Sequence, residues 1–277
     1  MSIERSPVNI PPEQLLAESI EIVKAAEAKE VTLRIMGGLA IYAHSSENEE
    51  CKRLQLTLGR LGDGKPPFTD LDLIGYDKQW KQIRDVLEKG CNLRPDRMVN
   101  AIFGDRRLVY FHPRSRFPID VFFETLEFSH IIRFGEFPGH ARLKLDSPTL
   151  TLADMALEKL QIHDINKKDL IDLIVLFLGH DVSQETQPNA VDVKYIAHVL
   201  SDDWGFWYDA INNLTHLKTL GAKFVEEGKL TPDQWTTVSG RVEALKGAIE
   251  AEPKTPDWKL RAEVGTSKPW YREVTDL

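Results

Sequence analysis

Cysteine is scarce in this chain: there are two, Cys51 and Cys91, far apart and without CxxC spacing. That leaves neither a disulfide framework nor a cysteine-built zinc site, and makes a reducing, cytoplasmic setting the expectation. Long apolar runs are missing too. None approaches the roughly 20 residues that a membrane-spanning helix needs, so no membrane partner is expected. The opening MSIERSPVNIPPEQ lacks the basic-then-apolar order of a secretory signal. There is no internal repeat and no low-complexity tract. The histidines form no HxxxH or HxH pair, so a histidine-built metal centre is not expected. Excess positive charge is also absent, with 35 Lys and Arg against 43 Asp and Glu for a net charge of −8. A protein that coats duplex nucleic acid without sequence preference needs many phosphate contacts, and this balance argues against that class. A local basic groove is still allowed. The densest basic stretch holds Arg94, Arg97, Arg106, Arg107, Arg114 and Arg116, and its ordinary reading is a solvated sheet edge with its loops.

What is present fits a soluble globular chain. Its 277 residues, 42% of them hydrophobic, can build one large or two modest domains. Pro11-Pro12-Glu13 opens a helical pattern, followed by strands predicted near 31–36, 70–76, 107–112 and 117–123 and a helix over 79–88. Residues 45–68 read as an insertion or loop, and 141–150 as extended. From Thr151 the pattern turns helical. Thr151-Leu152-Ala153-Asp154, Asn166 and Thr231-Pro232 are start signals, and 253–277 reads as a polar tail. The expected organisation is α+β: a mixed sheet with flanking helices over 1–150, and a helical domain over 151–277.

Three short pieces carry the chemistry: Met36-Gly37-Gly38-Leu39-Ala40, Thr69-Asp70-Leu71-Asp72-Leu73 and Pro118-Ile119-Asp120-Val121-Phe122. A glycine pair at a strand end lets phosphate approach the backbone, and a following helix offers its positive end. Alternation along a strand puts Asp70 and Asp72 on one face and the leucines on the other. Asp120 interrupts an apolar strand. Crowded carboxylates raise one another's pKa, and Mg²⁺ relieves that penalty while accepting phosphate oxygens. Three acids suffice for a seat of two ions. A lone DxD is common on edge strands, so the weight rests on the three pieces together.

In this order the pieces resemble the signature of the DNA polymerase β-type nucleotidyltransferase superfamily, with the AbiEii-like branch, which includes type IV toxin–antitoxin toxins, the nearest match. Leu157-Glu158-Lys159-Leu160-Gln161 and Lys167-Lys168-Asp169-Leu170-Ile171-Asp172 are similar to that branch's lysine helix and the helix after it. The resemblance spans about residues 31–178. It implies an Mg²⁺-dependent transfer of a nucleoside monophosphate from an NTP to a hydroxyl on RNA, protein or a small molecule, with a protein antitoxin as a further partner. It would make Gly37 and Gly38 the triphosphate seat, with Asp70, Asp72 and Asp120 as metal-binding catalytic acids. Lys159 would face the phosphates, and Lys168 and Asp169 would border the site. Asp169 could equally pair with Lys159 across two helices, and Lys168 with Asp172 as an i, i+4 pair. Two departures stand out: the long spacing from Gly38 to Asp70, and Leu39 where many members carry serine. The alternative implied is a catalytically silent relative that binds a nucleotide or a partner.

Overall fold

A computed structural model describes residues 10–62, 64–115, 117–135, 141–187 and 189–273. In chain order the helices are α1 (Pro12–Glu27), α2 (Gly37–His44), α3 (Glu49–Thr57), α4 (Trp80–Asp85), α5 (Arg97–Phe103), α6 (Leu152–Leu160), α7 (Lys167–Gly179), α8 (Val193–Leu200), α9 (Trp204–Glu226), α10 (Pro232–Ala251) and α11 (Pro256–Val264). The strands are β1 (Leu33–Ile35), β2 (Leu71–Gly75), β3 (Arg94–Pro95), β4 (Arg107–Phe111), β5 (Pro118–Phe123), β6 (Thr125–Glu127), β7 (Ile131–Arg133), β8 (Asp181–Ser183) and β9 (Ala190–Asp192). The fold is α+β, with one five-stranded mixed sheet and a helical C-terminal part.

The chain divides into two compact units. The first draws on the described residues up to Ala43, then Leu61–Leu126 and Ile132–Leu150. Its sheet runs β1-β2-β5-β4-β3, with β2 and β5 parallel and every other neighbouring pair antiparallel. Leu71 and Leu73 on β2, Leu108 on β4, and Ile119 and Val121 on β5 are fully buried. β-branched and leucine side chains at every second position make that face a core surface. α1 starts with Pro12 in its first turn, where the missing N–H costs nothing, and buries Leu15, Ile22, Val23 and Ala26. α4 continues into a π-helical turn, Val86–Gly90, and is tied down by Trp80, whose Nε1 donates to the Gly104 carbonyl at 2.6 Å. β3 forms a sheet edge and is two residues long because Asp96, which still donates to the Val109 carbonyl at 2.9 Å, caps the start of α5.

The second unit gathers His44–Arg60, Glu127–Ile131 and Thr151 onward. From α6 on, each α-helix begins on Thr, Asn or Asp: Thr151, Asn166, Asp192, Asp203, Thr231 and Thr255 all accept a backbone N–H of their first turn. Each such cap is worth about 1 kcal/mol. Ile171, Leu173–Phe177, Ile196, Phe206, Leu214, Val238, Val242, Leu245 and Ile249 form the core.

Three expectations need correction. Residues 45–68 hold a real helix, α3, capped by Asn48 and burying Cys51, Leu54 and Gln55. Its polar composition reads as loop because only one face is covered. Residues 141–150 form a 3₁₀ turn at Arg142–Lys144 and a single bridge from Thr149 to Ile35, not a strand. The tail contains α11, which starts with Thr255 and Pro256. No helix among the described residues is long and apolar enough to cross a membrane.

Candidate functional site

In the first unit, β1 ends where Gly37 adopts a φ of 73°, a conformation that an L side chain resists. The Met36 N–H donates to the Asp72 carbonyl at 2.9 Å, which fixes the glycine turn beside β2. Asp72 and Asp120 are register partners on the parallel strands β2 and β5. Partners in register present their side chains to the same face, opposite the buried leucines. Asp70 stands one residue before β2 and is exposed, Asp72 is half-buried, and Asp120 is buried. The glycine turn and the two strand aspartates therefore belong to one end of one sheet.

Asp120 has a partner the sequence did not announce. Arg107 on β4 holds it in a two-pronged ion pair, Nε to Oδ1 at 3.1 Å and Nη2 to Oδ2 at 2.6 Å. Arg107 faces Phe122 in register and reaches diagonally to Asp120, the reach expected of a long side chain across antiparallel strands. Two carboxylates side by side on a sheet need a cation between or beside them, and a guanidinium supplies one. Among the described residues no group of three or more His, Cys, Asp or Glu is arranged to hold a metal ion. The expected three-aspartate seat is thus not assembled here. Asp70 and Asp72 fit a hard divalent cation as oxygen donors, whereas Asp120 would join them only by releasing Arg107.

The second unit concentrates charge differently. Lys159 on α6 is 5% exposed. Its Nζ donates to Asp169 Oδ1 at 2.8 Å and lies 3.5 Å from both Glu158 and Asp172. Burial alone would push the ammonium pKa down, but the carboxylates of Asp169, Glu158 and Asp172 outweigh it and drive it up. Asp172 is fully buried and accepts Arg60 Nε and Nη2, each at 2.7 Å, and Gln55 Nε2 at 3.0 Å. Burial raises its carboxyl pKa, yet Arg60 and Lys159 hold it below the usual range. So Lys159 pairs with Asp169 across two helices, and Asp172 is held by Arg60 rather than by the i, i+4 neighbour Lys168. Lys168 is half-buried in the first turn of α7, where its backbone N–H donates to the Asn166 cap. Arg60, Gln55 and Glu158 had no role in the sequence reading. Arg60 and Gln55 come from the stretch read as loop, where an Asn48 cap, two acids in the first turn and buried Cys51 and Leu54 at helical spacing were the available signal.

A third polar centre joins residues distant in sequence. Asp209 is 1% exposed and lies 2.8 Å from His130 Nε2, 3.1 Å from His163 Nδ1 and 3.0 Å from Trp270 Nε1. Tyr271 stacks on His163 with ring centroids 3.5 Å apart. Hydrogen bonds from His130, Trp270 and His163 hold the Asp209 carboxyl low against the opposing effect of burial. No short-range spacing links these residues, so sequence motifs could not reveal them.

No family model matches the chain, and neither a curated protein nor a solved structure matches it.

Proposed function

We propose that this protein is an Mg²⁺-dependent nucleotidyltransferase related to the DNA polymerase β-type superfamily and, within it, to the AbiEii-like branch. The observation that supports this best is the pairing in register of Asp72 with Asp120, beside a glycine turn tied by hydrogen bond to the same strand. In this reading Gly37 and Gly38 admit the triphosphate to the backbone at the start of α2. Asp70 and Asp72 hold the cation, which when bound neutralises charge on the phosphates. The acceptor hydroxyl oxygen bonds to the α-phosphorus in line, the bond from that phosphorus to the bridging oxygen breaks, and pyrophosphate leaves with the electron pair. Asp120, released by Arg107, accepts the hydroxyl proton, and the freed guanidinium is placed to balance phosphate charge. Positioning and electrostatics carry the rate, without a covalent intermediate.

The test is transfer of label from NTPs carrying it at the α-phosphorus, with total RNA, lysate protein and aminoglycosides as acceptors. Asp72→Asn is expected to lower transfer by about a hundredfold or more with the fold intact. Equal transfer by wild type and Asp72→Asn overturns the reading. One observation favours a second reading: the closed Arg107–Asp120 pair suits a relative that binds a nucleotide without turning it over. There, Mg²⁺ and NTP would raise the melting temperature by mass action while no acceptor became labelled.

A further inference from the structure

Of the basic stretch noted in the sequence, Arg107 enters the chemistry above, whereas Arg94, Arg97 and Arg106 take no part in it. In the fold these three lie on the β3-α5-β4 edge of the first unit. Arg94 on β3, Arg97 at the start of α5 and Arg106 just before β4 are all exposed. None of the three guanidinium groups has a carboxylate partner among the described residues, whereas Arg34, Arg60, Arg84, Arg107, Arg241 and Arg272 each hold one. Between them along α5 stand Met98, 64% exposed, and Ile102, 63% exposed. Four residues apart on a helix, these two share one face. Ala101, next to Ile102, is exposed as well.

We infer that this edge is a docking surface for an acidic amphipathic helix of a partner protein. The apolar pair would receive two apolar anchors, and carboxylates in the partner's flanking turns would meet Arg97 and Arg94 at one end of α5 and Arg106 beyond the other. Charge complementarity carries the choice of occupant: three unpaired arginines bracket an uncovered apolar pair on a chain whose overall charge is −8. An RNA strand would use the arginines but would gain nothing from Met98 and Ile102, and two large aliphatic side chains at the centre of a patch are the mark of a protein contact. Strand addition at the sheet edge is blocked, because β3 is two residues long and one of them is Pro95. A helix laid on a helix face is the mode that remains.

The probe is a synthetic fluorescein-labelled helical peptide with two leucines four residues apart and glutamates in the flanking turns, titrated by anisotropy into the full chain. Binding is expected at low salt and is expected to weaken as salt rises. The Met98→Ser/Ile102→Ser double variant should weaken it at least tenfold. Arg97→Glu/Arg106→Glu should weaken it similarly, and a peptide with lysines in place of the glutamates should regain affinity for that variant. All four positions are exposed, and unchanged thermal melts would verify that the variants fold. The inference is overturned if the peptide fails to bind, or if the apolar double variant binds it as wild type does. It is overturned equally if tRNA-sized RNA binds and is lost only with the arginines, which would make the edge an RNA groove. Conversion of a wild-type dimer to monomer by Met98→Ser/Ile102→Ser, seen by ultracentrifugation, would assign the patch to a second copy of the chain and would also overturn it.

Discussion

The two units use the same side chains to opposite ends. On the sheet of the first unit, Asp70 is exposed, Asp72 is half-buried, and the buried Asp120 pairs with Arg107, which retains some exposure. In the second unit, Glu158, Asp169 and Asp172 are buried around Lys159 and Arg60, and each cation meets carboxylate oxygens within 3.5 Å. Carboxylates saturated by buried partners are committed to the fold, since withdrawing one strands the others in low dielectric. On the proposed reading, the carboxylates at the sheet end beside the glycine turn are the ones that receive the cation. On that reading, Asp70 and Asp72 differ from the cluster acids by their exposure, whereas Asp120, at 6%, is as buried as Glu158, at 7%, and differs by its place beside Asp72 on the sheet.

The sharpest way to break that comparison is Asp172→Ala. It leaves Arg60 and Lys159 without their shared partner, and urea melts should show a loss of about 3–5 kcal/mol. A loss within the range of a surface substitution would mean the buried cluster is no more structural than the sheet acids. Next comes His180, which is 8% exposed and edge-on to His44 with ring centroids 5.8 Å apart. Burial, and then His44, lower its pKa to about 4. The neutral imidazole is therefore the folded form, while the unfolded chain takes up a proton near pH 6.5. Its contribution is fully present above about pH 6.5, is lost as pH falls toward about 4, and amounts to something on the order of 3 kcal/mol. His180→Leu should remove that part of the slope in stability measured between those values.

Arg107→Gln comes third. It removes the charged two-pronged pair of the buried Asp120 and should cost about 2 kcal/mol. It should also relieve Asp120 of that pair and change the affinity for Mg²⁺ with NTP, which no substitution in the buried cluster should do. Smallest is Thr231→Ala, which deletes one half of the capping box of α10 and should cost about 1 kcal/mol in the same melts. It sets the scale for a change in the second unit outside the buried Lys159–Arg60 cluster.

Much of this was legible in the chain. The strand positions, the glycine turn and the caps at Thr151, Asn166 and Thr231 are local, and local signals survive in sequence. The pairing of Lys159 with Asp169 could be weighed because both lie on neighbouring helices in a short span. Arg107 as the partner of Asp120 could not, because a diagonal contact across two strands depends on register, which no single motif encodes. Arg60 was missed for a related reason: α3 and the residues up to Arg60 belong to the second unit although they interrupt the sequence of the first. His130, His163 and Trp270 meet Asp209 from three separate segments, a convergence that only folding supplies.

The most direct measurement is a calorimetric titration of Mg²⁺ with each of the four NTPs into Asp72→Asn and Asp172→Asn, run beside urea melts of both. Nucleotide binding should vanish in Asp72→Asn with stability close to wild type, while Asp172→Asn should lose stability and its folded fraction should bind as wild type does. Undiminished binding by Asp72→Asn would contradict the assignment of the working acids to the sheet.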